Sequence, residues 1–247
     1  ATRSSATRSN ATRSMAGSRR VSYLPHRPRV RSPVALVLFF LLGGLLLAGC
    51  ESAYYSTMEQ LGVHKRDILV DRVEAARDSQ EDAADEFSSA LEEFNSVVGY
   101  DGGDLEAVYS RLDASFKRSE RRAEDVRDRI EAVESVSAAL FAEWGEEIEA
   151  YSNERLRRSS EAQRRETERR YDALVASMWR AEGRIAPVLD AFRDQVLYLK
   201  HNLNARAIAS LRGELGSIEG DVAVLLRDME ASIEESNAFI AEMQANS

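Results

Sequence analysis

From residue 64 onward, apolar residues recur in steps of three and four, and a single proline, Pro187, interrupts them. That spacing keeps one stripe on one side of a 3.6-residue helix. No stretch alternates with the period of two that a half-buried strand needs. The first seam runs Leu69, Val73, Ala76, Gln80, Ala83, Phe87, Leu91, Phe94 and Val98. The glycine-rich segment from Gly99 to Gly103 then breaks it, and Asp104 is placed to cap a second helix. The second seam goes through Leu105, Val108, Leu112, Ser115, Ser119, Ala123, Val126, Ile130, Val133, Leu140, Trp144, Ile148 and Tyr151. Folding back about the glycine loop sets Ala83 against Ser119 and Gln80 against Ala123. Small residues then face small residues, as closely approaching antiparallel helices require. Arms of about 35 residues, or about 50 Å, follow.

Residues 153 to 170 differ: seven arginines and four glutamates with hardly an apolar residue. Glu154–Arg158, Glu161–Arg165 and Glu166–Arg170 have the i,i+4 spacing and order that support a solvated helix. Gly183 and Pro187 mark a second reversal or a kink. A last seam follows through Ile185, Leu189, Phe192, Val196, Leu199 and Leu203, then Leu211, Leu215, Ile218, Val222, Leu225, Met229, Ile233 and Ile240. Its four-residue steps around Ala207 read as a stutter. The expected fold is all-α: long antiparallel helices in a bundle, three at one end, extended into a two-helix, coiled-coil-like arm. Such seams can pair within one chain or between two, so a homo-oligomer stays open.

The first 63 residues have another character. A five-residue repeat, ATRSS-ATRSN-ATRSM, leads to Met15, and residues 1–14 read as a leader or scar without structure. Residues 15–49 combine Arg19, Arg20, Arg27, Arg29 and Arg31 with an apolar run from Val34 to Leu47. About 14 residues are too few to cross about 30 Å of hydrocarbon but suit a signal-peptide core. The run ends Leu47-Ala48-Gly49-Cys50, which contains the only cysteine of the chain. This tetrapeptide resembles the lipobox of bacterial lipoproteins. The resemblance implies signal-peptidase recognition of Leu47, Ala48 and Gly49 and a palmitate-type acylated lipid anchor on Cys50. A lone cysteine has no intramolecular disulfide partner, and two or three acyl chains hold where one binds only marginally. Residues 50–63, with Tyr54 and Tyr55, read as a lipidated tether, and 64–247 as the helical domain. The expected location is the cell envelope, facing the periplasm. By resemblance to enterobacterial sorting, Glu51 in place of aspartate favours the outer membrane.

Charge bounds the partners. Eight arginines and no acids precede Cys50; the remainder carries 25 basic against 42 acidic residues, a net charge of −17. Nucleic-acid binding needs a basic footprint, so no nucleic-acid partner is expected. Two local basic stretches remain as candidate interaction sites. One is Arg157, Arg158, Arg164, Arg165, Arg169 and Arg170; the other is His64, Lys65 and Arg66. The first reads either as a solvated helix face or as a patch for lipid headgroups or an anionic polymer; the second reads either as a solvated helix start or as a docking patch for a partner or the membrane surface.

Beyond Cys50 the only histidines are His64 and His201, in neither a Glu-x-x-His nor a His-Glu-x-x-His setting. A glycine-rich phosphate loop and a cysteine cluster are missing as well. No cofactor and no enzymatic activity are expected. The leading expectation is a structural or adaptor protein that binds an envelope protein or polymer through helix faces. The alternative is a membrane-surface or anionic-polymer binder that uses Arg155–Arg170. The stretches Tyr54-Tyr55-Ser56-Thr57-Met58-Glu59, Gly62-Val63-His64-Lys65-Arg66-Asp67-Ile68-Leu69-Val70-Asp71-Arg72-Val73 and Leu199-Lys200-His201-Asn202-Leu203-Asn204-Ala205 resemble an uncharacterised family of bacterial lipoproteins. That resemblance implies an envelope location and a helical fold, and no activity.

Overall fold

The structure, a computed structural model, describes residues 64–245. Cys50, the Leu47-Ala48-Gly49 recognition residues and the 50–63 tether lie outside the described residues. Five helices follow in order: α1 (Lys65–Val98), α2 (Leu105–Ala150), α3 (Glu154–Glu182), α4 (Ile185–His201) and α5 (Ala205–Ala245). No strand occurs among the described residues.

The predicted hairpin forms. Asp104 Oδ1 accepts from the backbone N–H groups of Glu106 (3.0 Å) and Ala107 (3.2 Å), two of the donors a helix start leaves open. Gly102 and Gly103 hold φ of 142° and 118°, a region that side chains disfavour, so the turn needs them. Register along the pair is fixed by Glu93–Arg111 (3.3 Å), Glu86–Arg118 (2.9 Å) and Asp82–Arg122 (3.0 Å). Between those pairs the small residues Ala83, Ser115 and Ser119 are fully buried, and Gln80, just beyond them, is buried too.

At Gly183 the chain kinks and does not reverse. The Gly183 N–H still donates to Trp179 O (2.9 Å), and the next N–H, of Arg184, donates to Ala181 O (3.0 Å). The cause is local: the ring of Pro187 collides with the carbonyl four residues back, that of Gly183, while its missing N–H costs little in the first turn. α3 and α4 therefore run on in one direction along both α2 and α5. Arg127–Glu182 and Arg193–Glu120 (3.3 Å) tie them to α2. Arg170–Glu242 (2.6 Å) and Arg184–Asp228 (3.0 Å) tie them to α5.

The second reversal lies at Asn202–Asn204, which corrects the stutter expected near Ala207. Asn202 Nδ2 donates to Tyr198 O (2.9 Å). Asn204 Oδ1 caps α5 through the N–H groups of Arg206 (3.0 Å) and Ala207 (3.1 Å). The result is a four-helix bundle, α1, α2, α3–α4 and α5, each antiparallel to its two neighbours. The three-helix body with a long two-helix arm is thereby corrected too. Only α2 beyond Trp144 and α3 before Thr167 project past the start of α1, as a short two-helix tip.

The core is continuous. Phe94 of α1 meets Phe192 of α4 edge-on at 5.9 Å, and Arg193 lies 5.7 Å over the Phe116 ring. Leu69, Phe87, Leu112, Ile130, Leu174, Leu211 and Leu225 are fully buried. Two arginines close the α1–α5 pair at opposite ends. Arg212 Nε donates to Val98 O (3.1 Å) and Arg66 Nη2 to Met243 O (2.8 Å). Each places a cation at the carbonyl end of the neighbouring helix, where the helix dipole favours positive charge.

Candidate interaction site at the charged end of the bundle

The antiparallel arrangement brings both basic stretches to one end. Lys65 Nζ pairs with Glu143 Oε2 at 3.0 Å, and Arg66 reaches the last turn of α5. Asn153 caps α3 beside them, accepting at Oδ1 from Arg155 N (3.0 Å) and Leu156 N (3.2 Å). Stretches about ninety residues apart in sequence thus share one end of the molecule.

Most of their charge is engaged within the chain. Arg157 pairs with Glu154 (2.6 Å), Arg164 with Glu168 (2.7 Å), Arg165 with Glu161 (3.9 Å), and Arg170 with both Glu166 (3.0 Å) and Glu242. Arg169 pairs with Glu166. Two of the three i,i+4 pairs expected from the spacing form; Glu154 turns to Arg157 in place of Arg158. Between residues 143 and 170 stand eight glutamates and seven arginines, so this end is a network of near-balanced charge and not a bare cationic surface. Lys65, whose side chain is 11% exposed, is a structural cation here. His64 is exposed at the α1 N-terminus and makes no side-chain cap. Arg155 and Arg158 are exposed and have no side-chain partner among the described residues.

Sequence reasoning missed the apolar members of this end. Tyr151 and Leu156 are 42% and 47% exposed at the turn between α2 and α3. Its spacing, three residues after Ile148, puts Tyr151 on the α2 seam, whereas the helix ends at Ala150 and Tyr151 is its C-cap. The available signal was Asn153, whose capping position ends the earlier helix. Trp144 is half-buried, and its Nε1 donates to Ser160 Oγ (2.8 Å), joining the two helices of the tip. At Gly145 the lack of a side chain lets the Arg164 guanidinium lie across α2; a Cβ there would stand 3.2 Å from its Nη1. Below it, Phe141 and Tyr171 meet edge-on at 5.5 Å. Burial pushes the Tyr171 hydroxyl above its ordinary pKa, a shift partly offset by its hydrogen bond with Ser137.

Two concavities flank the tip. A groove of about 620 Å³ runs between α2 and α3, lined by Gly145, Ile148, Arg157, Glu161, Arg164 and Glu168. A smaller cleft of about 150 Å³ lies between Arg66, Leu140, Trp144, Thr167 and Met243. Glu143 and Glu147 line this cleft as well. Among the described residues no group of histidine, cysteine, aspartate or glutamate is placed to hold a metal ion. His201 is exposed in the last turn of α4, at the opposite end of the bundle from His64. No helix among the described residues is long and apolar enough to cross a membrane.

Fold and site together define an all-α, up-down-up-down helical bundle with a charged, two-helix tip. The model of a protein family described as "Protein of unknown function (DUF2959)" matches residues 54–243, and the chain belongs to that family. No curated protein and no solved structure matches it.

Proposed function

We propose that this chain is an acylated lipoprotein of the cell envelope whose bundle serves as a structural or adaptor element through its helix faces. The observation that carries the reading is the run from a basic segment through Val34–Leu47 to Leu47-Ala48-Gly49-Cys50, with Cys50 the only thiol. In support, the bundle spends its polar groups on inter-helix ion pairs and offers long solvated faces. Mass spectrometry of the protein extracted from membranes tests the anchor. A first peptide that begins at Cys50 and carries acyl mass is expected; a bare thiol with the leader still attached overturns it. Site-specific crosslinking along exposed positions of α2 and α5 tests the adaptor role. Crosslinks only to the protein itself would count against it.

A second reading makes the arginine-rich α3 a binder of anionic lipid or polymer. The convergence of Lys65 and Arg66 with α3 supports it, while the paired glutamates weigh against it. Its test is the combined variant Arg164→Gln, Arg165→Gln, Arg169→Gln and Arg170→Gln. Lowered vesicle or sacculus binding would carry this reading, and unchanged binding would remove it.

A further inference from the structure

We infer that the turn between α2 and α3 seats on the surface of a phospholipid bilayer, with Tyr151 and Leu156 at the boundary between headgroups and acyl chains. This inference rests on the anchored reading above and adds a second contact with the same membrane. Three features of the structure carry it.

The first is chemistry. Tyr151 and Leu156 are the only large apolar residues this exposed in the tip; Tyr151 opens the three-residue turn and Leu156 lies in the first turn of α3. Tyrosine at an interface places its ring among apolar groups and its hydroxyl in water. Beside them, Arg155 and Arg158 have exposed guanidinium groups without side-chain partners among the described residues. These suit the phosphate that every phospholipid headgroup carries.

The second is position. His64, where the tether segment joins the bundle, lies at the tip end, because Lys65 pairs with Glu143. From Glu143 to Ala150 α2 advances about 10 Å at 1.5 Å per residue, so the turn is the farthest point of the bundle at this end. The thirteen residues from Glu51 to Val63 can span at most about 45 Å when extended. An acyl group on Cys50 and the turn can therefore occupy one bilayer surface together.

The third is charge balance. Glu146, Glu147, Glu149 and Glu154 offset Arg155, Arg157 and Arg158, so the tip has no net attraction for anionic lipid. Apolar insertion and local phosphate contacts must carry the seating. This separates the proposal from a basic-patch mechanism, in which affinity rises steeply with the anionic lipid fraction.

The test uses the full chain, purified from membranes and reconstituted into phosphatidylcholine vesicles. Ser152→Cys in the turn and Asp101→Cys in the far loop are each labelled with an environment-sensitive fluorophore. Quenching by a spin label carried at the lipid headgroup is then read. The label at 152 should be quenched several-fold more than the label at 101. The pair Tyr151→Ser and Leu156→Ser, both at exposed positions, should bring position 152 to the level of 101 without loss of vesicle flotation or helicity. Adding about 30 mol% phosphatidylglycerol should change quenching by less than about two-fold.

Flotation with no quenching at 152 overturns the seating and leaves the anchor intact; the turn would then face solvent or another protein. A ten-fold dependence on anionic lipid also overturns it, in favour of charge-driven binding. Labelling of the parent chain, which has only Cys50 to react, would reveal a free thiol there and overturn both readings.

Discussion

Gln80 lies in the middle of α1 with no exposed surface, and neither its side-chain oxygen nor its nitrogen has a hydrogen-bond partner among the described residues. Replacing it by leucine removes both polar atoms and changes side-chain volume little. An unpaired buried amide costs roughly 1–3 kcal/mol in protein mutational data, and an apolar residue of similar shape escapes that cost. Gln80→Leu should therefore stabilise the bundle by about 1–3 kcal/mol. For a domain of this size that corresponds to a rise in Tm of roughly 3–10 °C. Urea unfolding followed by circular dichroism should show a higher midpoint with an unchanged slope. Gln80→Ala is the contrasting control. It also removes the polar atoms, but it leaves a void between α1 and its neighbours that offsets the gain. Stability equal to or below the parent in the leucine variant would refute the reasoning, because the amide must then be satisfied in solution.

Other expectations follow from the same geometry. Gly213, Gly216 and Gly220 lie inside α5, and among the described residues a Cβ at any of them would meet nothing within 4 Å. Changing all three to alanine should add about 2–3 kcal/mol from helix propensity and reduced unfolded-state entropy, read as a raised thermal midpoint; a lowered midpoint would mean that this face is not open in solution. Asp104→Ala removes the cap of α2 and should cost about 1 kcal/mol, with hydrogen exchange rising first at Leu105–Val108. Asp228 is held below the usual carboxylate range, first by its hydrogen bond from Arg184 and then by Arg227. A depressed carboxylate stabilises the fold above its unfolded pKa and loses that contribution as pH falls through the folded value. Arg184→Gln should accordingly lower stability at neutral pH, and the gap from the parent should close under acid; a gap that persists under acid would argue that Arg184 acts through packing at the kink.

Much of this architecture was legible because helix seams are local. The seam from Leu69 to Val98, the break at Gly99–Gly103, the Asp104 cap and the Ala83–Ser119 alignment all follow from residue spacing and turn chemistry. What spacing could not supply was the choice between two candidate breaks. Gly183 and Pro187 carry the stronger composition signal, yet proline in a first helical turn bends a helix without ending it. Asn202-Leu203-Asn204 lacks both glycine and proline, and its two asparagines end one helix and cap the next through side-chain hydrogen bonds. Leu203, assigned to the seam, is 39% exposed in that turn. At the candidate site, the two basic stretches were visible in the sequence, but their partners were not. Glu143 and Glu242 come from other helices, and only the fold reveals that Lys65 and Arg170 are already matched.

α2 has 46 residues, or about 70 Å of helix at 1.5 Å per residue. Its two ends carry the tip and the Gly99–Asp104 loop, so these features stand almost the full height of the molecule apart. A bilayer that holds one of them cannot reach the other while the bundle stands upright. Whatever binds beside the glycine loop must then reside about 70 Å out into the surrounding compartment. The bundle would in that setting act as a stand-off of fixed length, and a change in the number of helical turns would alter that distance directly.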